Sequence, residues 1–432
     1  MKIQNFDTLA VSDLRKVGLL IAEAGLQAID TERVIRDAIR LEGGVLFIQN
    51  KKYPLEHVGR IFVMGVGKCA SEAASALEEV LGERISGGVI IDVKEGKHLK
   101  YITAYKGSHP LPTDANVNAS RNMIYLLQGL HADDLVLFCI SGGASTLLCL
   151  PEEGGRCETE AELFRLLTAS GVTIRELNTV RKHLSLARGG YLAKEAYPAR
   201  VVSLIFSDVP GNDIQFIASG PTVKDTTTVK DAEAILKKYD VLKNPGVWKI
   251  KLLETPKDRK YFERVTNTIV VSNDVALRSM AEKALELGYA PEVRTSALHG
   301  EAREAGEKIL KESRKAPAGS VLLYGGETTV TARGKGRGGR NLELALSGLR
   351  FVSEGELLIS LASDGRDNTD FAGGVCDIIA REKARAAGLD AEEHLHENNA
   401  YSFFEKTEDY ILTGDTGSNV SDLVLVIKQN NK

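Results

Sequence analysis

Runs of apolar residues alternate with helical segments along the first half of this chain, and this alternation narrows the fold more than any other feature. The apolar runs are short and predict strands that are buried on both faces, at residues 60–64, 88–92, 135–140 and 201–206. Residues with helical spacing separate them, at 114–130, 160–169 and 174–197. This order favours a parallel sheet covered by helices, so the predicted fold class is α/β.

The length of 432 residues suggests roughly two or three domains at ~150 residues each. Residues 240–268 change character, because Lys, Pro and Asp become frequent there. Strand and helix patterns restart immediately afterwards. We therefore predict an N-terminal domain over residues 1–245, a linker at 246–265 and a C-terminal α/β domain over 266–432.

Charge and cysteine content argue against several classes of protein. A net charge of −4 disfavours a nucleic-acid-binding protein, which is usually basic. No apolar run approaches the ~18 residues of a membrane span, and the N-terminus lacks the pattern of a secretory signal. The five cysteines are odd in number and include no C-x-x-C pair, so neither a disulfide framework nor a zinc site is expected. These features predict a cytoplasmic protein without membrane or nucleic-acid partners.

The first of these strands ends in a glycine-rich turn, Gly65-Val66-Gly67-Lys68, at the start of a predicted helix. A lysine there is well placed to meet an anion, since helix N-termini attract negative charge. The turn is not a Walker A loop, and it matches a dinucleotide fingerprint only in the G-x-G-x-x-A form, with Ala70 last. A surface lysine at an ordinary turn explains the same residues, so this motif alone decides nothing.

A second turn, Ser141-Gly142-Gly143-Ala144-Ser145, follows the third of these strands. Its glycines, hydroxyls and amides predict a cradle for phosphate or carboxylate. A tight strand-to-helix turn would use the same residues, and a serine nucleophile would need the G-x-S-x-G elbow that this turn lacks. Because ligands bind at the carboxyl ends of strands in open α/β sheets, these turns predict one shared crevice.

Residues 333–340 are only glycine or cation, in the order RGKGRGGR. The loop leads into a predicted helix that starts near Asn341, and glycine lets a backbone turn and approach a ligand closely. We interpret Gly336, Gly338 and Gly339 as positions that let the loop wrap an anion at the helix N-terminus. A flexible hairpin tip and an RNA-binding Gly/Arg segment are the alternatives.

Together these motifs resemble the glycerate 2-kinase family whose C-terminal region is the MOFRL domain. Several motifs in one order are far more specific than any single motif. The matching segments run in family order at residues 65–68, 108–112, 141–145, 177–185, 207–221, 325–328, 336–346, 363–365 and 413–420.

The resemblance implies an enzyme that uses ATP to phosphorylate D-glycerate at its 2-hydroxyl, giving 2-phosphoglycerate. It also implies a Rossmann-like N-terminal domain, a smaller α/β MOFRL domain and an active site in the cleft between them. The tail at 413–432 could pack back on that cleft. Mg²⁺ or another divalent cation is the expected cofactor, and a homodimer is a further expectation.

The resemblance also assigns residues. Lys68 and Arg340 are expected to be essential, and Asp208 to orient or deprotonate the 2-hydroxyl. Some of Asp208, Asp213 and Glu327 would hold Mg²⁺, which prefers carboxylate oxygens beside phosphates. The ATP phosphates are expected at Gly65, Gly67, Ser141, Gly142, Gly143, Ser145, Gly336, Gly338, Gly339 and Asn341. The residues expected to contact substrate, or to support those that do, are His109, Asn178, Arg181, Asp364, Thr416 and Asn419.

Three positions depart from the family pattern. Asn212 stands where an aspartate is common, Arg188 replaces a lysine, and the segment 364–370 lacks a second glycine. These differences bear on the metal ligands more than on the kinase assignment. Two alternatives stay open: an NAD-dependent hydroxypyruvate reductase, which would need a full dinucleotide fingerprint, and a non-catalytic sugar-phosphate binding protein.

Overall fold

The predicted buried strands pair in parallel within one sheet of the computed structural model, which describes residues 1–209, 211–247 and 250–430. The sheet has the strand order β6-β5-β4-β7-β8-β9, which is the order of the doubly wound dinucleotide-binding fold. A small antiparallel sheet, β1-β2-β3, precedes it in the chain. The strands are β1 (Ile39–Glu42), β2 (Val45–Ile48), β3 (Lys51–Pro54), β4 (Ile61–Val66), β5 (Ile85–Asp92), β6 (Thr103–Lys106), β7 (Leu135–Ile140), β8 (Arg200–Phe206) and β9 (Val265–Val271).

Helices connect most strands of the parallel sheet, whereas β5 and β6 are joined by residues 93–102 without a helix. Residues of β4 and β7 are buried throughout, which explains why their sequences are continuously apolar. Alanine-rich α4 packs on β4 and β5. The helices of this part are α3 (Thr31–Ala38), α4 (Ala70–Leu81), α5 (Asp114–Leu127), α6 (Ala144–Leu147), α7 (Cys157–Ala169), α8 (Ile174–Lys182), α9 (Tyr191–Glu195) and α10 (Val229–Lys238).

The rest of the chain builds a second sheet of mixed direction, in the order β10-β11-β15-β12-β13-β14. Only β10 and β11 are parallel among its described pairs; the others are antiparallel. Its strands are β10 (Ala290–Leu298), β11 (Ser320–Gly326), β12 (Glu356–Ala362), β13 (Gly373–Asp377), β14 (Tyr410–Ile411) and β15 (Asp422–Lys428). Its helices are α1 (Phe6–Leu9), α2 (Asp13–Ala28), α11 (Asn273–Glu286), α12 (Ala302–Ser313), α13 (Arg340–Gly348), α14 (Ile378–Ala386), α15 (Ala391–His396) and α16 (Ala400–Thr407).

The chain divides into a parallel-sheet unit, Thr31–Val270, and a mixed-sheet unit, Met1–Asp30 with Val271–Lys432. This division differs from the predicted limits at both ends. The expected linker at 246–265 falls inside the parallel-sheet unit, whose last strand is β9. The first 30 residues, placed by sequence in the N-terminal domain, belong to the mixed-sheet unit.

Close packing explains why α2 belongs to the mixed-sheet unit. A Cβ atom at Gly18 of α2 would lie 2.5 Å from Leu357 of β12, and one at Gly25 would lie 2.7 Å from Met280 of α11. Arg15 of the same helix is fully buried against carboxylates of this unit. The apolar residues of α2 have helical spacing in the sequence, but this spacing does not identify the surface on which the helix packs.

The helices and the cysteines bear on the predictions made from composition. No helix among the described residues is long and apolar enough to cross a membrane. All five cysteines are buried and unbonded to one another.

Candidate active site

The order of the parallel sheet creates a switch point between β4 and β7. The chain continues from β4 to β5 on one side and from β7 to β8 on the other. Loops that leave two such strands diverge, and the crevice between them is the usual ligand site of doubly wound folds. The two predicted glycine turns, 65–68 and 141–145, are the loops at this switch point.

The turn after β4 is packed tightly on the turn after β7. Gly67 has φ +122°, and a Cβ atom there would lie 2.1 Å from Ser141 Oγ and 2.6 Å from its carbonyl oxygen. The Lys68 amide donates to the Gly142 carbonyl oxygen at 3.0 Å. Glycine is therefore required at position 67 by contact between the two turns, and Gly65 is a buried residue of β4 itself.

The turn after β7 presents unused backbone donors. Within the described parts of the chain, the amides of Gly142 and Gly143 donate to no other group of the protein. Gly143 adopts a left-handed φ of +84°, and the Lys68 and His109 side chains both approach within 3.4 Å of the position of a Cβ atom there. Orphan amides beside a lysine are the arrangement expected of an anion site.

Lys68 supplies the charge of this site. Its side chain is half-buried, and its ammonium has no carboxylate or hydrogen-bond partner among the residues that the structure describes. Partial burial of the imidazole lowers the pKa of His109, and the charges of Lys68 and Arg181 lower it further. His109 is thus neutral at pH 7, and its environment is positive.

Helix α8 brings Asn178 and Arg181 to the same region. Ser219 Oγ lies 2.9 Å from Asn178 Oδ1 and 3.1 Å from Ser145 Oγ, so Asn178 is tied through Ser219 to the turn after β7. Ser219 lies in a strained stretch, because residues 218–220 all have φ between +54° and +59°. Strained backbone of this kind clusters at functional sites.

The predicted carboxylates of this unit follow β8. Asp208 and Asp213 are both half-buried, and Asp213 Oδ1 accepts from the Gln215 amide at 3.0 Å. Since β8 is the neighbour of β7, their loop follows the same edge of the sheet as the Ser141 turn. Pro210 of this motif lies outside the described residues.

Arg340, predicted to be catalytic, is surrounded by carboxylates in the mixed-sheet unit. It makes a bidentate pair with Asp422, at 2.6 Å and 3.0 Å, and its third nitrogen lies 2.7 Å from Glu327. Burial alone would lower the pKa of Arg340, but the hydrogen bonds and charge of Asp422 raise it overall. Burial raises the pKa of Asp422 to about 7 despite the bond from Arg340.

The N-terminus of α13 is already occupied by a side chain. Asp367 accepts from the amides of Asn341 and Leu342 at 3.1 Å and 2.8 Å, which is how a carboxylate caps a helix. A Cβ atom at Gly339 would lie 2.2 Å from Asp367 O. Asn341, predicted to bind phosphate, is buried, and its Nδ2 donates to Asp422 at 2.8 Å. Asp367 therefore takes the amides at this helix start, and Asn341 supports Asp422. Phosphate binding at Asn341 stays a prediction.

The cationic loop is fastened to the segment before α16. The amide of Gly336 donates to the Glu397 carbonyl oxygen at 2.8 Å, and a Cβ atom on Gly336 would lie 2.4 Å from that of Asn399. Its glycines at 334 and 336 therefore permit backbone packing, and Glu397 takes the Gly336 amide. Phosphate binding at Gly336 stays a prediction. Gly338, at φ +159°, lies between this anchor and α13.

The remaining predicted residues lie in two loops that meet beside Asp422. Gly365 has φ +87°, and a Cβ atom there would lie 1.9 Å from the Gly414 carbonyl oxygen. Thr416 is buried and its amide donates to the Asp364 carbonyl oxygen at 3.3 Å. Asn419 Oδ1 accepts from the Ser421 amide at 3.1 Å. These contacts shape the loops that lead into β15.

Sequence reasoning missed two residues of these clusters. Asp422 is the first residue of an otherwise apolar strand and directly follows the predicted loop 413–420, so a carboxylate at a strand start was the available signal. Ser219 lies within the matched segment 207–221, but no periodicity distinguishes its hydroxyl. Its role depends on the left-handed backbone, which the sequence Ile217-Ala218-Ser219 does not indicate.

Two family models match the chain. A domain of unknown function (DUF4147) matches residues 19–250, and the MOFRL family matches residues 320–422. The glycerate 2-kinase of Pyrococcus horikoshii is 36% identical over 434 residues, which cover 96% of this chain and 97% of that protein. A crystal structure of glycerate kinase from Thermotoga maritima has a TM-score of 0.86 at 34% identity, covering 96% of this chain and 99% of its own.

A further relative bears on the alternative function. An Agrobacterium vitis protein with the name "Putative hydroxypyruvate reductase" is 37% identical over 387 residues, covering 85% of this chain and 87% of that protein. The two names refer to different chemistry on related three-carbon acids, and an assay with both substrates distinguishes them.

Proposed function

The chain belongs to the glycerate 2-kinase family, and on that premise we propose that it transfers the terminal phosphoryl group of ATP to the 2-hydroxyl of D-glycerate. The observation that carries the proposal is the anion site at the switch point of the parallel sheet. There the Lys68 ammonium and the amides of Gly142 and Gly143 have no partner among the described residues. The free donors and the uncompensated charge suit a polyphosphate.

Phosphoryl transfer depends mainly on positioning and on neutralising negative charge. In our proposal the two glycine amides hold phosphate oxygens, and Lys68 stabilises the charge that moves during transfer. His109, neutral at pH 7, adds a ring that can hydrogen-bond without repelling Lys68. Asp208 orients or deprotonates the 2-hydroxyl of glycerate, as its place after β8 allows.

The donor set after β8 suits a divalent cation. Asp208 and Asp213 are carboxylates at the edge where phosphates would bind, and Mg²⁺ takes such oxygens together with phosphate oxygens. When bound, Mg²⁺ would neutralise charge on the β- and γ-phosphates. Glu327 is a weaker candidate ligand, because its carboxylate is paired with Arg340.

Arg340 remains a predicted catalytic residue. Its contact with Asp422 is buried, whereas the side chain of Glu327 is 52% exposed. We propose that an incoming anion displaces Glu327 and that Asp422 keeps the guanidinium in place. A cytoplasmic location and a homodimer also remain predictions.

The decisive experiment follows ADP release with D-glycerate as acceptor, and phosphorus NMR then identifies the 2- or 3-phosphorylated product. Lys68→Met should lower turnover on the order of 10³-fold, whereas Lys51→Met, at an exposed lysine of the same unit, should leave turnover unchanged. Oxidation of NADH by hydroxypyruvate without ATP-dependent phosphorylation would support the reductase and refute the kinase.

A further inference from the structure

The guanidinium of Arg181 packs on an aromatic ring but is hydrogen-bonded to none of the residues that the structure describes. Its Nε atom is buried without a hydrogen bond, and the guanidinium donates to no acceptor among the described residues. The ring of Phe164 lies 4.3 Å from its central carbon. A buried donor without an acceptor is costly to a fold, so an unsatisfied guanidinium at the edge of an anion site suggests a ligand.

The surrounding charges strengthen this argument. Burial lowers the pKa of Arg181 to about 10, and the neighbouring charge of Arg188 lowers it too, while Glu160 acts in the opposite sense. The Glu160 carboxylate already has other partners, because it accepts hydrogen bonds from Arg188 at 2.6 Å and from the Cys149 thiol at 3.3 Å. Arg181 therefore stays protonated at neutral pH, and the carboxylate whose charge acts on it is already paired with Arg188.

The position of Arg181 on α8 indicates where an anion bound to its guanidinium would lie. Arg181 follows Asn178 by three residues on α8, so the two side chains share one face of the helix. Asn178 is tied through Ser219 to Ser145, at the end of the turn that carries the Gly142 and Gly143 amides. The charge of Arg181 also acts on His109. The guanidinium thus borders the proposed phosphate site from the side of α8.

We infer that Arg181 binds the carboxylate of the hydroxy-acid substrate and makes the enzyme selective for a carboxylate over an uncharged polyol. The inference rests on the proposed function and adds a residue that recognises the acid. With one face against Phe164, the planar guanidinium offers its edge, which matches a carboxylate through two parallel hydrogen bonds. Lys68 and the glycine amides, a separate set of donors, take the phosphates.

The test compares D-glycerate with its amide, which keeps the hydroxyls and removes the charge. Isothermal titration and steady-state kinetics on the full chain should show that wild type prefers glycerate on the order of 10- to 100-fold. Arg181→Gln should lose most of that preference through a higher KM for glycerate and a nearly unchanged KM for ATP. Arg165→Gln is the matched control, at an arginine 63% exposed on the neighbouring helix α7.

Arg181→Ala adds a readout that a purely structural role would not give. Millimolar guanidinium should restore glycerate binding to this variant and should not change the control. Unaltered preference for glycerate in Arg181→Gln, with phosphorylation intact, would overturn the inference, as would absence of rescue in folded Arg181→Ala. If the wild-type protein does not phosphorylate glycerate but binds it in a way that depends on Arg181, the proposed function fails and the carboxylate contact of Arg181 stands.

Discussion

Replacing Arg15 by leucine should strongly destabilise the mixed-sheet unit. Arg15 is fully buried, and its Nε and Nη2 atoms each lie 2.7 Å from an oxygen of Asp377. Its Nη1 atom lies 2.7 Å from Asp409. Leucine would leave the buried Asp377 carboxylate without its ion-pair partner and Asp409 with Lys383 alone, at 2.9 Å. Breaking a buried pair in this way costs about 3–5 kcal/mol.

That cost can be converted into a melting temperature. For a unit of this size each kcal/mol shifts the midpoint by about 2–4 °C, so Arg15→Leu should lower it by roughly 6–20 °C. Circular dichroism gives the midpoint, and hydrogen exchange of β13 amides locates the loss in the mixed-sheet unit. Arg33→Leu is the control, because Arg33 is 62% exposed and lies 3.7 Å from Asp37. Its effect should stay within about 1 kcal/mol.

A compensating variant tests the cause. Adding Asp377→Asn to Arg15→Leu removes the carboxylate that has lost its partner and should recover part of the lost stability. An Arg15→Leu protein that melts within a degree or two of the Arg33→Leu control would refute the reasoning. The N-terminal helix would then be held by apolar packing alone.

Three further predictions concern the parallel-sheet unit and the thiols. Gly67→Ala should lower turnover on the order of 10²-fold or more, since its Cβ atom would displace the Ser141 turn. Gly87→Ala is the control and should be tolerated, because the atom nearest to its Cβ would be 3.7 Å away. Equal losses of turnover in the two variants would count against the argument. The five cysteines should ignore a thiol reagent at pH 8 until the protein unfolds, because all are buried and burial raises the pKa of each thiol; fast labelling of the native protein would contradict this. Anion binding should raise the lowered pKa of His109 and cause proton uptake at mildly acidic pH. This uptake should appear as a buffer-dependent binding enthalpy in wild type and be absent from His109→Asn.

The parallel sheet was predictable because burial on both faces leaves a direct signature in sequence. Strands such as β4 and β7 are apolar at every position, and each ends in a turn of small residues. The switch-point site was predictable for the same reason, since its residues lie within three residues or so of a strand end. The position of α2 was not, because an amphipathic pattern does not specify the surface that buries it.

Glycine is used in two different ways in the candidate site. At positions 142 and 143 small residues leave backbone amides exposed to a ligand, whereas at 334, 336 and 339 they let the backbone press against residues 397–399 and Asp367. Both situations require the absence of a side chain, so composition cannot distinguish them. The hydrogen bonds of the backbone amides distinguish them. The amides of Gly142 and Gly143 have no acceptor among the described residues, whereas the Gly336 amide donates to the Glu397 carbonyl oxygen. Unsatisfied donors therefore distinguish a candidate anion site from a packed glycine loop, and by that criterion the Ser141 turn is the site that we propose for the phosphates.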